Sequence, residues 1–188
     1  TGDYIYFPSA DDRVCANLFE EAFSLFSKYS DAGIFSGLGY QMDRDGRFEN
    51  LVSSPLISTN QIYLNPDKVN RYLVSYGYWI VGQTMIFRKS CFKDLGIMFD
   101  PNLRHYSDIF TPLIISAKYG ACFSPKTLAS WRYYSGYAEQ NFSDKDRDAN
   151  LFDKFKELCR SPAYKDLVPE EFLLHMEYSK RIMYLNRR

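Results

Sequence analysis

The stretch Tyr4-Ile5-Tyr6-Phe7-Pro8-Ser9-Ala10-Asp11-Asp12 decides how the rest of the chain is read. Four apolar or aromatic residues in a row make a short buried strand, and Pro8-Ser9 ends it at once. Two carboxylates therefore stand at the C-terminal end of a strand, where α/β sheets hold their ligands. Next along the chain, Leu18, Ala22, Phe23, Leu25 and Phe26 recur at helical spacing between Val14 and Tyr29, with Glu20 and Glu21 elsewhere on the wheel. An amphipathic helix packed on the sheet is expected there.

The pattern continues as alternating strands and helices. Ala32 to Met42 reads as a strand with a turn at Asp45-Gly46, and the polar, Pro55-interrupted run Leu51 to Asn65 reads as a loop. Leu64-Asn65-Pro66 opens a helix reaching about Ser75. Tyr78 to Arg88 is the next strand, in which Gly82 signals a bulge, a close backbone approach or a packing contact. A helical turn at Ser90 to Leu95 follows, then a long helix from Ser107 to Tyr119 closed by Gly120, and short strands or an extended segment over Ala121 to Ser124 and Leu128 to Tyr134. The expected fold class is α/β: a mixed sheet flanked by helices over residues 1–140, with Tyr4 to Phe7 and Ile80 to Phe87 as neighbouring central strands. Beyond Gly136 the polar run Asn141 to Asn150 leads into helices at Leu151 to Arg160 and Pro169 to Asn186, so residues 141–188 are expected to form a C-terminal helical extension. The closing Arg187-Arg188 reads as a small anionic contact or as solvated charge.

Composition narrows the function classes. Of 188 residues 46% are hydrophobic, enough for one domain-sized core. Lys plus Arg and Asp plus Glu balance at 23 each, which leaves no net field to draw the protein to nucleic acid or an anionic membrane. The 16 Tyr and 15 Phe supply core rings and, through the Tyr hydroxyl, surfaces suited to carbohydrate. Cys15, Cys91, Cys122 and Cys159 are widely spaced, which fits a reducing, cytoplasmic compartment, and with two histidines they do not make a zinc pattern. No apolar run approaches the ~20 residues that span a bilayer, so the membrane association left open is peripheral, at the inner face.

Three blocks in order resemble family-two glycosyltransferases of the GT-A fold. The strand ending in Asp11-Asp12 is similar to the strand that ends in the family's D-x-D metal motif, with Ser9 in place of the first aspartate. Gly82-Gln83-Thr84-Met85-Ile86-Phe87-Arg88 resembles the strand passing the acceptor site. Phe99-Asp100-Pro101-Asn102-Leu103-Arg104-His105-Tyr106-Ser107-Asp108, followed by an apolar helix, Tyr119-Gly120 and Trp131-Arg132, resembles the segment bearing the catalytic base. The resemblance covers about residues 1–140 and starts at the family's fourth strand. The strands that hold the nucleotide base and ribose are not in this chain, which is therefore expected to bind a sugar nucleotide weakly and to turn over negligibly alone.

What the resemblance implies is transfer of a sugar, with inversion, from a nucleotide diphosphate donor to a hydroxyl of a carbohydrate or lipid-linked acceptor. Asp11 and Asp12 are the expected ligands of Mn²⁺ or Mg²⁺, hard cations that bridge one or two carboxylates to substrate phosphates. Asp108 is the expected base. Gly82, His105, Trp131 and Arg132 are expected to contact substrate, with Arg132 offering its guanidinium fork to diphosphate and Trp79, Tyr106 and Trp131 offering rings to a sugar face. Each has a structural alternative: helix capping for the three aspartates, core packing for the rings, a surface ion pair for Arg132. A nucleotidyltransferase of related fold and a non-catalytic scaffold domain remain as competing functions.

Overall fold

The structure is a computed structural model and describes residues 2–97, 99–133 and 145–186. Seven strands form one sheet: β1 (Tyr4–Tyr6), β2 (Arg13–Val14), β3 (Ile34–Met42), β4 (Phe48–Leu51), β5 (Ile62–Leu64), β6 (Ile86–Arg88) and β7 (Ala121–Arg132). Along the main path the order is β1-β6-β3-β7-β2, with β4 pairing β3 and β5 pairing β7. Only β3 and β7 run parallel; every other pair is antiparallel. Helices are α1 (Leu18–Lys28), α2 (Pro66–Tyr76), α3 (Lys89–Leu95), α4 (Ser107–Tyr119), α5 (Lys145–Cys159) and α6 (Glu170–Asn186), joined by 3-10 turns at Gly82–Thr84 and Pro101–Tyr106. The molecule is the expected α/β mixed sheet flanked by helices.

Adjacent residues of each central strand point to opposite faces, and this alternation makes two cores. Phe35, Ile86 and Cys122 meet Leu18, Ala22, Leu25 and Phe26 of α1 on one face. Their neighbours Ile34, Phe87 and Phe123 meet Leu113 and Ile114 of α4 and Leu73 of α2 on the other. Phe155 of α5 and Phe172 of α6, both with no exposed surface, belong to that second core.

The local signals explain the element ends. Asn65 caps α2 by accepting Lys68 N–H at 3.0 Å with Pro66 at its first turn, and Gly77 follows the helix at φ 81°. Gly46 turns the β3–β4 hairpin at φ 83°. Gly120 ends α4 at φ 84°, and a Cβ there would lie 2.5 Å from the Leu64 carbonyl oxygen.

Several expectations are corrected. The helix read from Val14 begins only at Leu18, because Arg13–Val14 is spent as β2 on β7. Glu21 faces inward, taking hydrogen bonds from Gln61 (2.6 Å) and Ser124 (3.1 Å) and an ion pair from Lys126. The stretch read as a loop contains β5, and the short strands or extended segment read after Gly120 form one strand, β7, whose ladder with β3 steps over Pro125-Lys126, where proline has no N–H to give. Tyr134 lies outside the described residues, as do Gly136, Asn141 and the Arg187-Arg188 pair. Tyr4 to Phe7 and the Ile80 to Phe87 run are neighbours through β1 and β6, but β1 is the sheet's edge rather than central. The run itself is mostly not strand. Thr84 Oγ1 lies 2.9 Å from Gly37 N and 3.1 Å from Ser36 Oγ, and Val81 N–H donates to Ser36 Oγ at 2.9 Å, so buried side-chain bonds to β3 hold a 3-10 turn where a ladder was expected.

Candidate functional site

Two acidic stations stand at element ends. At the first, β1 stops before Pro8 and the chain bends through Asp11-Asp12 into β2. This bend is fastened by the far end of β7: Arg132 N–H donates to Asp12 Oδ1 at 2.8 Å, and its Nε–H donates to the Asp11 carbonyl at 2.9 Å. The Arg132 guanidinium also donates to the carbonyls of Asp43 (3.0 Å) and Arg44 on the β3–β4 turn. Arg132 is thus a clamp that joins two loops. Asp12 Oδ2 is buried with no hydrogen-bond partner among the described residues, and none of them engages the Asp11 carboxylate in a hydrogen bond. Burial raises the Asp12 pKa and the charge of Asp11 raises it further, against the Arg132 N–H bond and the nearby polar side chains of Ser9 and Gln83, which lower it. Tyr6 closes the station from β1, donating its hydroxyl to the Gln83 carbonyl at 3.0 Å. Gly82 begins the same 3-10 turn, and Met85 Cε at 3.9 Å is the nearest atom to a Cβ built on it, so its surroundings are open rather than crowded.

The second station is the junction of the Pro101–Tyr106 turn with α4. Asp100 caps the turn by accepting Asn102 N–H at 2.8 Å. Asp108, in the first turn of α4, has its backbone carbonyl held by the Tyr78 hydroxyl at 3.2 Å, whereas no hydrogen bond among the described residues engages its carboxylate. A capping bond by Asp108 is therefore absent. Partial burial raises its pKa, and His105 works in the opposite direction. His105 Nε2 lies 3.0 Å from Asp148 Oδ1, yet burial outweighs that attraction and lowers its pKa, so at neutral pH the ring is neutral. Lys180 completes the arrangement, with Nζ 3.0 Å from Asp148 Oδ2 and 2.8 Å from the Tyr106 hydroxyl.

A groove of about 460 Å³ runs past Asp108, walled by Phe7, Phe99, Pro101, Arg104 and Ser107. Phe7, whose ring lies 4.9 Å from that of Phe99, belongs to the segment that carries Asp11, so the segment joins the two stations although neither Asp11 nor Asp12 lines the groove. Trp131 packs edge-on to Tyr133 at 5.1 Å. Trp79 has no exposed surface and Tyr106 is 6% exposed, so neither ring is free to stack on a sugar. Tyr6, Gln83, Asp148 and Lys180 were not singled out in the sequence. Their roles come from contacts across 32 to 77 positions, which no local pattern encodes.

Among the described residues no cluster of three or more His, Cys, Asp or Glu could hold a metal by itself, and no helix is long and apolar enough to cross a membrane. No protein-family model matches the sequence, and no curated protein does. Solved structures do. The chain is similar to S. aureus TarS 1–349, a GT-A-type glycosyltransferase, at 15% identity and a TM-score of 0.52, over 86% of this chain and 42% of that one. The TarS 1–349 complex with UDP matches at 15% identity and a TM-score of 0.50, over 85% and 47%. The chain thus spans less than half the length of these neighbours, and what it shares with them is a glycosyltransferase-like α/β fold.

Proposed function

We propose that this chain is the metal- and acceptor-binding half of an inverting GT-A-type glycosyltransferase that uses a nucleotide diphosphate sugar. The observation that carries the reading is Asp108: a carboxylate at a groove, without a hydrogen bond among the described residues and with its pKa raised, on a fold similar to that of TarS. A general base works best with a pKa raised towards the operating pH, and a carboxylate in ordinary water falls short of that. In the reaction the acceptor hydroxyl attacks the anomeric carbon, the bond from that carbon to the donor phosphate breaks, and the hydroxyl proton passes to Asp108. One displacement inverts the configuration.

Asp11 and Asp12 fit Mn²⁺ or Mg²⁺ as a two-carboxylate, oxygen-only set completed by water and donor phosphate, because Asp12 keeps one buried, unpartnered oxygen and the two charges repel without a cation. Such an ion supplies charge neutralisation for the leaving diphosphate. Arg132 contributes by fixing the bend rather than by touching substrate. His105, neutral and anchored on Asp148, orients the segment before Asp108. The UDP complex of TarS supports a nucleotide donor here, and the acceptor proposed beside it is a carbohydrate or lipid-linked hydroxyl.

Calorimetry with a panel of sugar nucleotides, with and without Mn²⁺, tests the first station: weak, metal-dependent binding lost in Asp11→Ala is expected. Released nucleoside diphosphate, measured on a polypeptide joining this chain to a nucleotide-binding half, tests the second. Tight, metal-independent binding by this chain would put the donor site elsewhere.

A further inference from the structure

Behind the Asp108 groove lies a larger open basin, about 700 Å³, between the Pro101–Tyr106 turn and α5. Its polar wall is Asn102, Arg104, Arg147, Asn150 and Lys154, and no acidic residue among the described ones lines it. In a protein whose charges balance, three cations around one cavity are a local departure. No hydrogen bond or ion pair among the described residues engages the Arg104 guanidinium or the Lys154 ammonium. Two acids of α5 are directed elsewhere, Asp148 to His105 and Lys180, and Asp153 to Lys156 at 3.0 Å.

Arg104 links the two cavities, lining both the basin and the groove that contains Asp108. Its backbone is held at φ 49°, ψ −126°, the one non-glycine residue with positive φ among those described. Such a conformation is costly for an L-residue and persists where the surroundings impose it, often beside a ligand site. A planar guanidinium and an ammonium across an open cavity match a tetrahedral oxyanion, which takes a paired bond from the first and a point charge from the second.

We infer that the basin is an anion subsite for the acceptor: a phosphate carried by the acceptor sits between Arg104 and Lys154 while a hydroxyl of the same molecule reaches Asp108. This rests on the transferase reading for the word acceptor, but not for the binding. The test is a titration of the chain, followed by NMR of the arginine Nε–H and backbone amide signals, with glycerol 3-phosphate, glycerol and UDP in separate arms.

Glycerol 3-phosphate is expected to shift Arg104, Arg147 and Asn150 while glycerol does not, and its affinity should fall as salt rises. Arg104→Gln with Lys154→Gln, two exposed changes checked for fold by circular dichroism, should raise its dissociation constant at least tenfold. UDP should not displace it. Equal shifts with glycerol, an unchanged constant in the double variant, or displacement by UDP would each overturn the proposal, the last by assigning the basin to the donor. Phosphate binding needs no turnover, so failure of the transferase reading leaves this titration unchanged, and failure of the subsite leaves the Asp108 experiments unchanged.

Discussion

Asp12 carries its charge where the fold resists it. Its folded pKa is raised by burial and by Asp11, so between its ordinary value and the raised one the native state binds more protons than the unfolded chain. The stabilising part of that difference is present at acid pH and is lost as pH rises through the raised value. Asp12→Asn keeps an acceptor for Arg132 N–H and removes the charge, so its melting temperature at pH 7 should exceed that of the parent, with the gain vanishing near pH 3. Calorimetric melts at the two pH values check this. His105 has the opposite sign. Its lowered pKa gives stability that is present above its ordinary value and drains away as pH falls through the lowered one, and His105→Gln should flatten that acid-side decline. If Asp108 is the base proposed above, Asp108→Asn in a polypeptide that joins this chain to a nucleotide-binding half should lower release of nucleoside diphosphate by about 10²- to 10⁴-fold, the range of a positioned general base, while donor affinity stays.

The elements show which signals were legible before the structure. Helices with regular apolar spacing and explicit ends were readable: α2 has Asn65-Pro66 and Gly77, α4 has Gly120, and α6 was placed within a residue of its observed start. The Asp11-Asp12 bend and the Asp108 junction were readable as acid at an element end. What local pattern does not carry is pairing: Arg13–Val14 became strand because β7 offered an edge, and the strand expected from Tyr78 does not form through Val81, whose backbone is held by Ser36 and Thr84. The Asp148 and Lys180 contacts with the base-bearing turn escaped notice for the same reason. Lys180 and Asp148 have side chains 11% and 5% exposed, so Lys180→Met takes an ammonium away from a buried carboxylate 3.0 Å distant and should cost about 3 kcal/mol by denaturant melting. Hydrogen exchange in the Pro101–Tyr106 turn should rise with it, showing that the C-terminal helices hold the base in place. Gly120→Ala tests the other end of α4. Positive φ and the Leu64 carbonyl both oppose a methyl there, and a loss of more than about 1 kcal/mol is expected.

At the scale of the whole molecule the sheet separates two apolar layers, and the thiols report on both. Cys122 faces α1, while Cys91 and Cys159 sit in the opposite layer; burial pushes Cys122 and Cys159 up to about 12 and Cys91 up to about 11. Cys15 alone is partly exposed. A thiol reagent should therefore label one cysteine of four in the native protein and all four in denaturant. Labelling of Cys122 without denaturant would mean that α1 does not cover the sheet. The Arg132 clamp bears on a different process, the making of the chain. The bend at Asp11-Asp12 takes its fastening from a residue 120 positions later, and β3 finds its parallel neighbour only when β7 exists. A ribosome that has released the chain only as far as α3 holds a polypeptide whose acidic bend is still unshaped. The bend precedes its fastening residue by 120 positions, so a nascent chain cut short before Arg132 leaves Asp11-Asp12 without the contacts that shape it.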